Sequence, residues 1–115
     1  MTKFMTYLAG ILFLAASPSL SQAVELENML YLELTGGRVV IELLPAAAPN
    51  HVARIKELAR AGFYDGLKFH RVIDGFMAQT GDPKGDGTGG SGQNIKAEFN
   101  AEKHSRGAEI GRAHV

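Results

Sequence analysis

One stretch, residues 69–79, constrains the fold of this chain more than any other. It predicts two short strands joined at Asp74-Gly75, because Asp-Gly between apolar runs is a strong hairpin signal and both residues tolerate positive φ. The predicted hairpin carries one cation, one amide and two bulky apolar groups, namely Arg71, Gln79, Phe76 and Met77. No other stretch gathers so many side chains that could act on a ligand.

The residues before this hairpin predict another one. Residues 29–34 alternate apolar and polar side chains, as a half-buried strand does, and residues 39–44 follow with a similar alternation. A tight turn at Gly36-Gly37 would join them. The apolar positions expected to share one face are Leu30, Leu32, Leu34, Val39, Ile41 and Leu43.

An amphipathic helix is predicted at residues 50–61. Pro49 suits its first turn, apolar residues recur at helical spacing from Val52 to Ala59, and Gly62 ends it as a left-handed residue. The charged residues between them are expected to face mostly solvent: Arg54, Lys56, Glu57 and Arg60. We expect His51 to be an exposed polar residue near the helix start and not a ligand.

A glycine-rich segment, residues 82–92, follows the hairpin. It lacks the Lys-Ser/Thr ending of a phosphate-binding P-loop, and Asp82 and Asp86 lack the spacing of an EF-hand calcium loop. We interpret it as a surface loop whose glycines let the backbone approach a bound chain. Residues 95–99 are predicted as a short strand or extended segment.

Composition and the N-terminus limit the function and the compartment. Twelve basic and twelve acidic residues leave no net charge, which argues against nucleic acid as a main partner, and the chain has no cysteine. Lys3, an apolar run at residues 4–16 and small residues before Val24 predict a signal peptide at residues 1–23. A membrane anchor is the alternative, but the run is short for a bilayer core of ~30 Å.

The central motif begins with an aromatic residue, continues through Phe-His-Arg and Gly-Phe-Met-x-Gln, and closes on a glycine, over residues 64–81. It resembles the signature of cyclophilin-type peptidyl-prolyl cis-trans isomerases, and the Gly-Thr-Gly-Gly at residues 87–90 resembles that family's next loop. The resemblance covers about residues 29–100. It implies a mostly β fold, a cyclophilin-like antiparallel β-barrel with capping helices, of which this chain holds the N-terminal part with one amphipathic helix and about five strands.

The resemblance also implies roles for single residues. Arg71 and Gln79 match the catalytic positions, the first as the arginine and the second as the amide that holds the substrate backbone. Substrate-binding positions are matched by Phe76, Met77, His70, Gly87 and Gly89. The implied partners are unfolded or extended polypeptides that contain Xaa-Pro, and no cofactor or metal is implied.

Elementary chemistry independently supports a catalytic role for Arg71. Rotation about an Xaa-Pro bond is opposed by about 18–20 kcal/mol because the C–N bond is partly double. In the twisted state the proline nitrogen regains its lone pair, and a guanidinium such as that of Arg71 can donate to it. A non-catalytic, chaperone-like binder of extended chains is the alternative function, although a binder need not keep the arginine.

The sequence departs from the family pattern toward its C-terminus. Removing residues 1–23 from the 115 leaves 92, fewer than the family's domain needs, and the expected second half of the groove is not present. We interpret residues 24–28 as a short lead, residues 29–108 as a partial domain, and residues 109–115 as a sequencing-adapter artefact. We expect little isomerase activity from these 115 residues alone. The complete protein is expected to be a periplasmic monomer with no stable membrane anchor.

Overall fold

A computed structural model describes residues 25–111 of the chain. The predicted signal peptide and residues 112–115 of the predicted artefact lie outside the described residues. After a 3₁₀ helix at Leu26–Asn28, the described elements follow in the order β1 Met29–Leu34, β2 Gly37–Glu42, α1 Pro49–Arg60, β3 Arg71–Ile73 and β4 Met77–Gln79. The strands form two separate antiparallel pairs, β1 with β2 and β3 with β4. The predicted mostly β fold with one helix is confirmed.

Residues 95–99, predicted as a strand or an extended segment, form no strand in the part of the chain that the structure describes. The described strands therefore number four, where about five were predicted. Instead of joining a strand, the segment contacts the N-terminus of α1 through the side chain of Glu98. The segment is thus held by side-chain contacts and not by a strand ladder.

The β1–β2 hairpin has the predicted faces but a shifted turn. Leu30 lies opposite Ile41 and Leu32 opposite Val39, so these apolar side chains share one face as expected. The turn is Thr35-Gly36 and not Gly36-Gly37, and Gly37 begins β2 at a φ of 135° that favours glycine. As a result β2 begins and ends two residues earlier than predicted.

Helix α1 agrees with the prediction to within one residue at each end. Gly62 follows it with a φ of 73°, the left-handed conformation predicted for it. Val52 is the one buried apolar side chain of the described residues, at 7% exposed. The helix therefore buries a narrow stripe and depends on polar contacts for much of its attachment.

Two cations of α1 are less exposed than predicted. Lys56 Nζ donates to Asn28 Oδ1 at 2.7 Å and lies 3.5 Å from Glu27, and Arg54 binds Glu57 and Ser91. Their side chains are 18% and 16% exposed, because each extends along the helix to a partner in another segment or turn. Within residues 25–111, no helix has the length and apolar character needed to cross a bilayer.

Candidate active site

The β3–β4 hairpin places two predicted catalytic side chains opposite each other. Arg71 is the cross-strand partner of Gln79, and Ile73 is the partner of Met77. Because side chains alternate along a strand, these four residues share one face of the hairpin. Arg71 is exposed, whereas Gln79 and Met77 are partly buried. A cation, an amide and two apolar groups therefore form one short surface.

The turn of this hairpin takes three residues, Asp74-Gly75-Phe76, where the sequence predicted a two-residue connection. The Phe76 N–H donates to the carbonyl of Ile73 at 3.0 Å, and Gly75 alone adopts a positive φ, 69°. Phe76, expected as a pocket wall, therefore lies in the turn, with 77% of its surface exposed. Among the described residues it does not form a closed pocket with Met77.

His70 joins the hairpin to the glycine-rich loop. A Cβ atom added to Gly87 would lie 3.6 Å from His70 Nε2, so the loop backbone passes close to the imidazole ring. Both ring nitrogens of His70 are buried and have no hydrogen-bond partner within residues 25–111. The predicted binding residues His70 and Gly87 are thus neighbours in space, on elements that are separate in the chain.

Asp82 organises the glycine-rich loop from inside. Its carboxylate accepts backbone hydrogen bonds from Lys84 at 2.8 Å, Asp86 at 3.2 Å and Gly87 at 2.6 Å, and a further one from Gly89. Burial of this 5% exposed residue would raise the pKa of its carboxyl, but the backbone donors outweigh burial and hold the pKa well below its usual range. Asp82 is therefore a charged loop anchor, a role that the sequence prediction missed.

Two glycines of the loop lie where a side chain would meet other atoms of the chain. A Cβ on Gly89 would overlap Asp82 Oδ1 and approach Lys84 Cγ to 3.0 Å, and one on Gly85 would lie 2.5 Å from Lys68 Cε. Gly90 has no heavy atom within 4 Å of such a position. The sequence interpretation assigned these glycines to contacts with a bound chain. For Gly89 and Gly85 the nearest demand is internal packing.

Glu98 binds the N-terminus of α1 across a long stretch of chain. Its Oε1 accepts from the Asn50 N–H at 2.8 Å and from Asn50 Nδ2 at 2.7 Å. Its Oε2 accepts from the His51 N–H at 2.9 Å and lies 2.7 Å from His51 Nδ1. Ala48, the residue before α1, provides no side-chain cap. Glu98 therefore supplies the acceptors that the first turn of a helix needs.

This contact corrects the prediction for His51, whose side chain is only 17% exposed and pairs with Glu98. Burial would raise the pKa of Glu98, but the donors on His51 and Asn50 outweigh it and lower the pKa to about 2. The partners lie 47 and 48 positions apart in the sequence. No local pattern could have revealed the pair, whereas Asp82 before Pro83 has the local signature of a side chain that folds back on its own loop.

The face that carries Arg71 and Gln79 combines polar donors with apolar groups. The cation and the amide can donate hydrogen bonds to peptide groups, and the adjacent Ile73 and Met77 offer an apolar surface. Within residues 25–111, no three or more His, Cys, Asp or Glu side chains cluster in a way that could hold a metal ion.

Comparison with known families decides the assignment. The family model described as "Cyclophilin type peptidyl-prolyl cis-trans isomerase/CLD" matches residues 29–111. This chain belongs to that cyclophilin-type family. The match includes both hairpins, α1 and the glycine-rich loop, so it confirms the resemblance inferred from residues 64–81.

Individual relatives of the chain carry names of peptidyl-prolyl cis-trans isomerases. A protein of Brucella suis biovar 1 (strain 1330), named as a probable peptidyl-prolyl cis-trans isomerase, is 45% identical over 122 residues, covering 93% of this chain and 62% of the relative. Peptidyl-prolyl cis-trans isomerase B of Bacillus subtilis (strain 168) is 52% identical over 73 residues, covering 64% of this chain and 51% of the relative. A Helicobacter pylori (strain ATCC 700392 / 26695) isomerase is 51% identical over 81 residues, 69% of this chain and 49% of the relative. The chain thus spans about half to three fifths of these cyclophilin-type relatives.

Proposed function

We propose that the whole protein to which this sequence belongs is a peptidyl-prolyl cis-trans isomerase that acts on Xaa-Pro bonds of extended polypeptides. The observation that carries the proposal is the pairing of Arg71 with Gln79 on one face of the β3–β4 hairpin. Membership of the cyclophilin-type family and the isomerase names of three relatives support it.

Catalysis in this proposal rests on Arg71. The barrier to rotation is about 18–20 kcal/mol, and it falls when the proline nitrogen is stabilised in its twisted, lone-pair form. The Arg71 guanidinium donates a hydrogen bond to that nitrogen, an interaction available only in the transition state. An acceleration of ~10⁴–10⁵ corresponds to roughly 5.5–7 kcal/mol. One charge-assisted hydrogen bond, exclusion of water and positioning together can supply this amount.

The neighbouring residues hold the substrate. Gln79 would bond the peptide backbone on one side of the Xaa-Pro bond, so that the other side turns. Met77 and Phe76 would contact the proline ring, and His70 with Gly87 and Gly89 would border the groove. Phe76 is 77% exposed among the described residues, so we assign the opposite wall of the proline pocket to further chain of the whole protein.

The test is a coupled Xaa-Pro peptide assay on the whole protein. Arg71→Ala should lower kcat/KM by about 10²–10³ while peptide affinity changes little, because the lost interaction belongs to the transition state. Arg38→Ala is the matched control, since Arg38 is an exposed arginine that binds Glu33 on the other hairpin. An unchanged protein that binds the peptide without speeding its isomerisation would overturn the enzyme proposal in favour of a chaperone-like binder. Equal accelerated rates for Arg71→Ala and the unchanged protein would remove Arg71 from catalysis.

The proposal also includes the cellular location of the protein and the polypeptides on which it acts. The predicted signal peptide at residues 1–23 supports export, and the neutral net charge supports polypeptide and not nucleic-acid partners. We assign the protein to the folding of exported proteins, as a monomer in the periplasm. Fractionation of cells that express a tagged whole protein tests the location, and recovery in the cytoplasm at full length would contradict it.

A further inference from the structure

Three Asp-Gly pairs occur in the described chain, and hydrogen bonds hold the reacting groups of one of them, Asp86-Gly87. Asp74-Gly75 forms the exposed turn of the β3–β4 hairpin, Asp86-Gly87 lies in the glycine-rich loop, and Asp65-Gly66 lies in the turn after α1. Asp-Gly is chemically special because glycine has no Cβ to hinder attack of its amide nitrogen on the preceding side chain. A pair whose carboxyl group and amide are already hydrogen-bonded should therefore react more slowly than a pair without such bonds.

The reacting atoms of Asp86-Gly87 are both engaged. Asp86 Oδ1 accepts from the Thr88 N–H at 2.8 Å and from Thr88 Oγ1 at 2.7 Å. The Gly87 N–H donates to Asp82 Oδ2 at 2.6 Å. Ring closure at this pair would have to break these bonds and distort a loop built around the buried Asp82.

The atoms of Asp74-Gly75 are not held in this way. Among the described residues the same is true of Asp65-Gly66, but Asp74-Gly75 is the pair that lies in the hairpin with Arg71 and Gln79. Within residues 25–111, neither the Asp74 carboxylate nor the Gly75 N–H makes a hydrogen bond, and the turn is closed one residue later by the Phe76 N–H. Asp74 is exposed to water, and Gly75 is at a φ of 69°. The carboxyl group and the amide nitrogen can therefore sample the approach that ring closure needs.

We propose that Asp74-Gly75 is a site of spontaneous aspartate isomerisation within the hairpin that carries Arg71 and Gln79. The Gly75 nitrogen attacks Asp74 Cγ in its neutral acid form, a C–N bond forms, and the Cγ–OH bond breaks. The amide proton and the hydroxyl leave together as water, which gives a five-membered succinimide. Water then adds to one of its two carbonyls, and opening at the main-chain carbonyl yields isoaspartate.

The product would lengthen the main chain in the turn of the hairpin. Isoaspartate routes the main chain through Cβ and adds one methylene between β3 and β4. This insertion disturbs a register in which Arg71 faces Gln79 and Ile73 faces Met77. The consequence for catalysis rests on the proposed isomerase function, whereas the chemical modification does not.

Peptide mapping of the aged whole protein tests the proposal. Trypsin separates the three pairs, because Asp65 falls in residues 61–68, Asp74 in residues 72–84 and Asp86 in residues 85–96. Isoaspartate is identified by chromatography and electron-transfer fragmentation after incubation in native buffer. We expect it to accumulate at least about tenfold faster in residues 72–84 than in residues 85–96, since Asp86-Gly87 must break its hydrogen bonds first. Equal rates, or faster reaction in residues 85–96, would overturn the proposal.

Two variants and a denatured sample test whether the local structure causes the difference in rate. Asp74→Ser should abolish isoaspartate in residues 72–84. Asp82→Ala removes the acceptor of the Gly87 N–H and should speed reaction in residues 85–96, with no effect in residues 72–84. In concentrated urea the two rates should converge, and a tenfold difference that persists there would show that local sequence and not the fold is its cause. Because none of these readouts uses isomerase activity, the proposed function can fail separately.

Discussion

Arg71 lies directly opposite Gln79 in the β3–β4 pairing, so a cation and an amide stand at paired positions of two strands. In the proposed mechanism the cation at position 71 must donate its hydrogen bond in a defined direction. A guanidinium is planar and rigid, whereas a lysine ammonium is a point charge on a flexible stem. Charge alone and directed donation can therefore be separated by experiment.

Arg71→Lys in the whole protein should lower kcat/KM by about 10–10²-fold, because the charge remains while the directed hydrogen bond is lost. The thermal unfolding temperature should be unchanged, since Arg71 is exposed. Full activity of Arg71→Lys would show that charge is sufficient. The control Arg38→Lys should leave the rate as it is.

Adjacent glycines give a matched test of the loop. Gly89→Ala would drive a Cβ into Asp82 Oδ1 and should destabilise the chain by about 1–3 kcal/mol, as overpacking does. Gly90→Ala meets no atom within 4 Å and should be close to neutral. Urea unfolding of both variants measures the difference. Equal stabilities would mean that the Asp82 anchor does not form in solution.

Acid should remove the contribution of Glu98. Its pKa is lowered from 4.5 to about 2 in the folded chain, so its stabilising effect is complete above pH 4.5 and is lost as the pH falls toward 2. Glu98→Gln should therefore be less stable than the unchanged chain at pH 4.5 and above, and the gap should narrow toward pH 2. Urea unfolding across this range measures it. Glu102→Gln, an exposed change nearby, should show no such gap, and a gap of constant size for Glu98→Gln would contradict the prediction.

Val52 in the core and Phe76 in the proposed site differ in how much of each side chain is exposed. Val52→Ala should destabilise the 115-residue chain by about 2 kcal/mol, because Val52 is 7% exposed. Phe76→Ala should barely change stability, because Phe76 is 77% exposed, yet it should weaken catalysis in the whole protein. Denaturant midpoints and the peptide assay test the two halves. A large loss of stability in Phe76→Ala would assign that ring to the core.

Local signals predicted the elements well. The alternation of apolar and polar residues predicted β1 and β2. Helix α1 was predicted to within one residue from Pro49, the apolar spacing and Gly62. Each of these signals acts over a few neighbouring residues. Turn lengths were predicted less well. Asp-Gly favours two-residue connections, but the pairing of Ile73 with Met77 makes room for a third residue, Phe76.

The remote contacts of the site region could not be predicted. Nothing near His51 announces a carboxylate partner, because Glu98 reaches it only after the chain has folded back. Asp82 differs, because its contacts lie within five residues and Asp-Pro is a local sign of them, but the spacing of an EF-hand does not test for this use. The sequence reveals which residues carry chemistry more readily than it reveals which residues hold them in place.

The long-range cap of α1 has a consequence for the order in which the chain matures during synthesis. A ribosome that adds about 5–20 residues per second needs about 2–10 s to advance from His51 to Glu98, 47 positions later. During that interval the twelve-residue helix lacks the acceptors for its first turn, and an isolated helix of this length is marginal in water. Helix α1 therefore becomes stable only after the segment with Glu98 has been synthesised, although the helix is encoded before the hairpin that carries Arg71.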